Sequence, residues 1–237
     1  PMILESPVSI ECRVKQVLEL SSHHMFLADV LAVHADPEYM ALFAKAAEMG
    51  GAKGIRTQGI EKLKAIKRTV NLPVIGLQKS QFEDGTVRIT GSFAEVEQLL
   101  AAGSDIIAID GTFRIRGGFS GPDFIKEVKK RYGCLVLADI ATYEEAMACA
   151  KSGADAVSTT LNGYTPETIQ FHDGPNYKLL SEIVVNIDIP VFAEGRYNTP
   201  AEAKKAMQLG AYAIISGTAI TRPRVITSWF VEAINNR

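Results

Sequence analysis

No apolar run in the 237 residues approaches the roughly 20 that a membrane span needs, so a membrane protein is not expected. An excess of charge of one sign is also missing. The 25 lysines and arginines stand against 27 aspartates and glutamates, and a net charge of −2 offers no basic field to nucleic acid or an anionic membrane. Cysteine is scarce: Cys12, Cys134 and Cys149 are odd in number and share no ligand-like spacing. They read as free thiols in a reducing cytoplasm, not as a disulfide framework or a metal site. His23 and His24 have no carboxylate or cysteine partner at ligand spacing, so no metal is expected there either. Gly117, Gly118 and Gly121 make a flexible loop without the G-x-G-x-x-G turn that follows a strand in dinucleotide sites. The opening PMILESPVSIECR lacks a basic stretch followed by a long apolar core, and no secretory signal is expected.

What is present is one phrase used four times. A helix-like stretch ends at a glycine, a small residue follows, and a short β-branched run begins: EMGGAKGIRT (48–57), AAGSDIIAID (101–110), KSGADAVSTT (151–160) and QLGAYAIISG (208–217). LPVIGL (72–77) and IPVFA (189–193) begin after proline instead. Chemically capable residues end these runs: Arg56, Lys79, Asp110, Asp139, Thr159–Thr160, Glu194 with Arg196, and Ser216–Gly217. Strands that alternate with helices call for a parallel sheet covered on both faces. Functional groups at the C-terminal end of strand after strand point to a (β/α)8 TIM barrel, whose active site is assembled at that rim.

The pattern predicts helices near 41–49, 59–69, 92–102, 121–131, 143–152, 176–186, 199–209 and 223–235. Gly103, Gly153 and Gly210 suit left-handed C′ positions, and Thr142 and Thr199 suit N-caps. Seven strands are expected near 53–56, 73–78, 105–109, 134–139, 155–159, 190–193 and 212–216, with a short eighth candidate at 86–90 set aside. Residues 1–40 read as a separate, atypical β-rich segment ahead of a barrel domain at 41–237. There 7–20 and 23–35 suit an antiparallel hairpin as well as a βα unit. The expectation is that Phe26–Ala32 supplies the first barrel strand and that 1–20 packs outside it.

The loops after 190–193 and 212–216 are where such barrels commonly bind phosphate. Gly195 and Gly217 would let backbone N–H groups approach an oxyanion, and Arg196 or Arg222 would add a charge-assisted contact. The plainer alternative is turns and surface charges. Lys79, desolvated near apolar walls, could act as a base or form a Schiff base; as a solvated loop residue it would do neither. Glu194 could be a general acid or base facing Lys79, or a structural carboxylate paired with Arg56 or Arg196. Asp139 and Asp110 could hold sugar hydroxyls or satisfy loop N–H groups, the latter being favoured for Asp110.

GIRTQG (54–59), LPVIGLQK (72–79), LADIAT (137–142), ADAVSTTLNGYT (154–165), PVFAEGRYNTP (190–200) and GTAITRP (217–223) together resemble the N-acetylmannosamine-6-phosphate 2-epimerase family over about residues 41–237. The resemblance implies interconversion of N-acetylmannosamine 6-phosphate and N-acetylglucosamine 6-phosphate by proton exchange at C2, in sialic acid breakdown, without a cofactor. It assigns Lys79 and Glu194 to catalysis, Arg56 and Asp139 to orienting the substrate, and Arg196, Gly195, Gly217 and Arg222 to the substrate and its phosphate end. The partner it implies is a phosphorylated amino sugar, and barrels of this kind often pair through their helices as homodimers. The family's first strand carries an S-C-Q-A motif, and an ungapped alignment puts Leu27 at its glutamine. Residues 7–40 resemble a flavin reductase-like (flavoredoxin) segment instead, too short to form a flavin site. The alternatives left open are a phosphosugar-binding barrel with impaired catalysis and another phosphate-binding barrel lyase or isomerase.

Overall fold

The structure is a computed structural model that describes residues 8–19, 24–35, 37–82, 86–170 and 173–235. Two long strands come first, β1 (Val8–Glu19) and β2 (His24–Ala35), paired antiparallel in a sheet of their own. From there helices and strands alternate: α1 (Pro37–Met49), β3 (Ile55–Gln58), α2 (Ile60–Thr69) and β4 (Val74–Leu77). A short antiparallel ribbon follows, β5 (Lys79–Gln81) with β6 (Val87–Ile89). Then come α3 (Phe93–Ala101), β7 (Ile106–Asp110), α4 (Gly121–Tyr132), β8 (Val136–Asp139), α5 (Tyr143–Lys151) and β9 (Ala156–Ser158). The chain continues with α6 (Tyr177–Val184), β10 (Val191–Glu194), α7 (Pro200–Gln208), β11 (Ala213–Ile215), α8 (Thr218–Thr221) and α9 (Pro223–Asn235).

The expected seven strands are the seven of one parallel sheet, in the order β11-β10-β9-β8-β7-β4-β3. The run at 86–90 is a strand too, but it folds back on β5 and stays out of that sheet. Phe26–Ala32, expected in the barrel, lies within β2 and takes its ladder partners from β1. Twelve consecutive residues in each strand, joined by a short polar stretch, let the two extended runs satisfy each other's backbone groups locally. The seven-stranded sheet therefore ends at β3 and β11, which share no ladder among the described residues.

One contact proves that the sheet is rolled into a barrel. Neighbouring strands lie about 4.8 Å apart, so β3 and β10, five positions apart, would be roughly 24 Å apart in a flat sheet. Arg56 on β3 nevertheless reaches Glu194 on β10 at 3.4 Å. Side-chain parity then sorts each strand. Val74, Ile107, Val136, Val157 and Val191 face the helices in the larger core, while Ile75, Leu77, Ala108, Leu137 and Ala156 form a second cluster inside the barrel. Gly76 allows close packing of α3 and the turn after it, since a Cβ there would meet the Ser104 hydroxyl at 2.5 Å and Leu99 of α3 at 3.1 Å.

The repeated phrase explains the bottom of the barrel. Asp105 and Asp155 hold the same place in two repeats, and each carboxylate caps the next strand over. Asp105 Oδ2 accepts from Val74 N–H and from Lys67 Nζ, both at 2.7 Å. Asp155 Oδ2 accepts from Val136 N–H at 2.8 Å and from Lys129 Nζ at 2.7 Å. Gly103, Gly153 and Gly210 take positive φ after their helices, as expected. Thr142 and Thr199 cap α5 and α7 in full capping boxes, and Ser92 does the same for α3.

Cys149 is wholly buried and donates to the Gly111 carbonyl, and burial pushes its thiol far up. Only the thiolate reacts with alkylating agents. Iodoacetamide under native conditions should therefore leave Cys149 unmodified and label the half-buried Cys134 before it, as peptide mass mapping would show; Cys149 should become reactive only on unfolding.

Candidate active site

Inward parity places Arg56, Asp139, Ser158 and Glu194 on the inner face at or near the ends of β3, β8, β9 and β10. The register lines up Asp110 with Asp139 and Asp139 with Ser158 across three adjacent strands. Just past β9 a single 3₁₀ turn, Thr159–Leu161, brings Thr160 back over the same face.

The centre of the cluster is a fork. Arg56 Nη1 donates to Asp139 Oδ1 at 2.9 Å and Nη2 to Oδ2 at 2.7 Å, the planar bidentate pairing that arginine favours. Asp139 is completely buried, Arg56 keeps 9% of its side chain exposed and Glu194 keeps 19%. Of the three titratable groups, Glu194 is thus the most open to a ligand. Thr160 Oγ1 lies 2.6 Å from Asp139 Oδ1 and 2.8 Å from Glu194 Oε2, and Ser158 Oγ is 3.2 Å from the same Glu194 oxygen. Thr159 clamps the Glu194 backbone, donating to its carbonyl at 2.8 Å and accepting from its N–H at 3.1 Å. Burial pushes the Glu194 carboxyl above the usual carboxylate range; Arg56 opposes this and the Asp139 anion reinforces it. Burial alone would lower Arg56, but the two carboxylates override it and hold the guanidinium protonated.

Of the sequence-predicted residues, Arg56, Asp139 and Glu194 come together. Lys79 stands at the first position of β5, two residues past Leu77, where continued parity would carry it toward the barrel interior. It is exposed, so the burial expected to desolvate it is absent among the described residues. Thr90 N–H donates to the Gln78 carbonyl at 2.8 Å, which fixes the turn out of β4 just before Lys79. Arg196 does not pair with Glu194 in the way one reading allowed. Its backbone is left-handed (φ 62°), its Nε donates to the Gly174 carbonyl at 2.8 Å and its Nη2 to the Asn162 carbonyl at 3.0 Å. Its guanidinium also lies over the Tyr164 ring, so it staples the loop that follows β9. Gly195 is at φ 102°, a conformation only glycine takes cheaply, and Gly217 caps the short α8. Arg222 ends α8 and is exposed.

Asp110 is the structural carboxylate favoured above. It is fully buried and held by Thr112 N–H at 3.0 Å, by Arg114 at 2.7 Å and by Arg116 at 3.1 Å. Ser158 and Thr160 are the site residues that sequence reasoning left without a role. The signal was there: two hydroxyls, two residues apart, at the end of a strand whose inner parity also holds Ala156. No group of histidine, cysteine and carboxylate side chains suited to a metal occurs among the described residues, and none of their helices is long and apolar enough to cross a membrane.

A family model, curated relatives and one solved structure name the same activity, while more distant solved structures share only the fold. A family model described as "Putative N-acetylmannosamine-6-phosphate epimerase" matches residues 40–236. A protein of Caldanaerobacter subterraneus named "Putative N-acetylmannosamine-6-phosphate 2-epimerase" is 47% identical over 203 residues, 85% of each chain. One of the same name from Clostridioides difficile is 46% identical over 84% of this chain and 88% of its own. The solved N-acetylmannosamine-6-phosphate 2-epimerase from Clostridium perfringens superposes with a TM-score of 0.78 at 42% identity, covering 84% of this chain and 86% of its own. That match carries the TIM-barrel fold with it. The family match begins at residue 40, and the likeness of residues 7–40 to a flavin reductase-like segment finds no support in these relatives.

Proposed function

Because this chain belongs to the N-acetylmannosamine-6-phosphate epimerase family, we propose that it interconverts N-acetylmannosamine 6-phosphate and N-acetylglucosamine 6-phosphate in amino sugar breakdown. The observation that carries this reading is the Arg56–Asp139–Thr160–Glu194 cluster at the C-terminal rim, with Lys79 on the turn that leaves β4.

The chemistry sets the roles. The C2 hydrogen is acidic only when C1 is a free carbonyl, so the ring must open before epimerisation. Opening breaks C1–O5, forms the C1 carbonyl, protonates O5 and releases the O1 proton; the Glu194 carboxyl exchanges protons with this end of the sugar. The Lys79 amine then takes the C2 proton, the negative charge spreads onto the carbonyl oxygen, and a proton returns to the opposite face. Arg56 and Asp139 orient the sugar. Gly195, Gly217 and Arg222 receive the phosphate, with Arg196 holding the adjoining loop. On this reading residues 1–40 are a segment apart from a barrel domain at 41–237, and free Cys134 and Cys149 suit a reducing cytoplasm. Exposed Phe230, Val231 and Ile234 on α9 favour pairing of two copies.

A second reading has one observation in its favour. β1 and β2 pair with each other, so the edges β3 and β11 lack the strand whose family glutamine is replaced here by Leu27. On that reading the barrel holds phosphosugars and turns them over poorly. Proton NMR of N-acetylmannosamine 6-phosphate with the protein in D₂O separates the two. The epimerase reading expects a growing N-acetylglucosamine 6-phosphate signal with deuterium at C2. Calorimetric binding with no isotope exchange would establish the second.

A further inference from the structure

Resting on the epimerase reading, we propose that Thr160 is a positioning residue that keeps Glu194 in its neutral, proton-donating form beside an ionised Asp139. Thr160 Oγ1 stands within hydrogen-bond distance of three oxygens: Asp139 Oδ1 at 2.6 Å, Ser158 Oγ at 2.8 Å and Glu194 Oε2 at 2.8 Å. A hydroxyl has one proton to give and lone pairs to accept two more. Asp139 accepts from Arg56 at both oxygens, so it is the anion of the site and the natural recipient of the Thr160 proton on the shortest of the three contacts.

With that proton spent, Thr160 is left to accept; Ser158 Oγ also lies 3.2 Å from Glu194 Oε2, and Thr160 at 2.8 Å is the nearer recipient of its proton. Ser158 donates to Thr160, and the oxygen of Glu194 that faces Thr160 must carry a proton of its own. An ionised Glu194 would set two acceptors face to face at 2.8 Å. Turning Thr160 round to serve an ionised Glu194 only moves the clash, since Asp139 Oδ1 would then face a lone pair at 2.6 Å while still chelated by Arg56. The charged groups around Glu194 act in opposite directions, with Asp139 opposing its ionisation and Arg56 favouring it. Asp139 from β8 repels a second anion, Arg56 from β3 touches Glu194 at 3.4 Å but gives its fork to Asp139, and β11 pairs with Glu194 through Ile215, which has no charge. Burial, the largest influence, favours the neutral carboxyl; the Thr160 and Ser158 hydroxyls would favour the ionised form only by donating to it, and the Thr160 proton is already given to Asp139.

Thr160 touches no part of the sugar in this scheme. It acts by sorting charge, so that the more open carboxyl holds the proton and the buried one holds the charge. A general acid of this kind contributes about 10²–10⁴-fold to rate. Losing the hydroxyl disturbs the acid without removing it, and the expected cost lies at or below the lower end of that range.

The test uses the full chain. Infrared spectra of the wild type at neutral pH should contain the carbonyl band of a protonated carboxyl that is absent from Glu194→Gln and that fades as rising pH ionises Glu194. In Thr160→Val the same band should move to higher frequency, because the carboxyl O–H has lost its acceptor, and should fade at a lower pH than in the wild type, because the neutral form has lost that support. kcat should fall about tenfold to a hundredfold with KM changed less than threefold, and Thr160→Ser should restore the band and bring kcat to within about threefold of wild type. A spectrum in which Glu194→Gln removes no protonated-carboxyl band, or in which Thr160→Val leaves that band unmoved, overturns the proposal. The Glu194→Gln comparison stands even if Thr160→Val does not fold. The band needs no turnover, so a wild type without epimerase activity would count against the function alone and leave the result on Thr160 intact.

Discussion

Replacing Lys79 with alanine should abolish deuterium uptake at C2 of N-acetylmannosamine 6-phosphate, a loss of about 10⁴-fold, at the upper end of what a general base supplies. The size follows from the chemistry of the step. Once the ring is open, nothing else can begin epimerisation until the C2 proton is gone, and an alanine methyl accepts no proton. Binding should survive, because Lys79 is exposed on a short ribbon and makes no part of the Arg56–Asp139–Glu194 cluster. Calorimetry should therefore give a dissociation constant within a few-fold of wild type. Glu194→Gln should differ in kind. It removes the acid while keeping a neutral, hydrogen-bonding side chain of the same shape, so slow exchange should persist when the open-chain form arises without help. Exchange at the wild-type rate in Lys79→Ala would remove Lys79 from the mechanism. A borohydride-trapped adduct on Lys79 of the wild type would make that residue a Schiff-base former instead.

The inward row of Arg56, Asp139 and Glu194 was legible because a strand repeats every two residues. Once IIAID, LVLAD and PVFAE are read as strands, the terminal acid shares the inner parity of the apolar residue two before it or the position four before. The helix ends were legible for an equally local reason: Thr142, Thr199 and the three glycines settle their own turns. Three features were not legible. The ribbon β5–β6 interrupts the βα rhythm just where Lys79 sits, and three residues per strand leave too little periodicity to read. The pairing of β2, for which the observed hairpin was one of two open readings, could not be decided because an apolar extended run reads the same in a hairpin as in a barrel. The hydroxyl between Asp139 and Glu194 depends on a single 3₁₀ turn, which folds Thr160 over the face that Ser158 already occupies.

Arg56→Met should cost the fold about 3–5 kcal/mol, because it leaves a fully buried carboxylate without its cation. In a domain of this size that corresponds to a melting temperature lower by roughly 6–20 °C. The loss should be uneven across the molecule. Among the described residues β3 is an edge strand whose ladder runs to β4 alone, and Arg56 ties it across the barrel to β8 and β10. Amide exchange should accordingly rise most in β3 and α2 and least in β7 and β8, which have ladder partners on both sides. Arg56→Lys separates charge from geometry. An ammonium restores the cation but not two parallel N–H bonds, so it should recover much of the stability while leaving kcat/KM well below wild type. The double variant Arg56→Met with Asp139→Leu removes both charges, and its stability should exceed that of Arg56→Met alone. That outcome would identify the isolated Asp139 anion, and not lost packing, as the source of the destabilisation; a double variant less stable than the single one would place the cost in the packing of Arg56 itself.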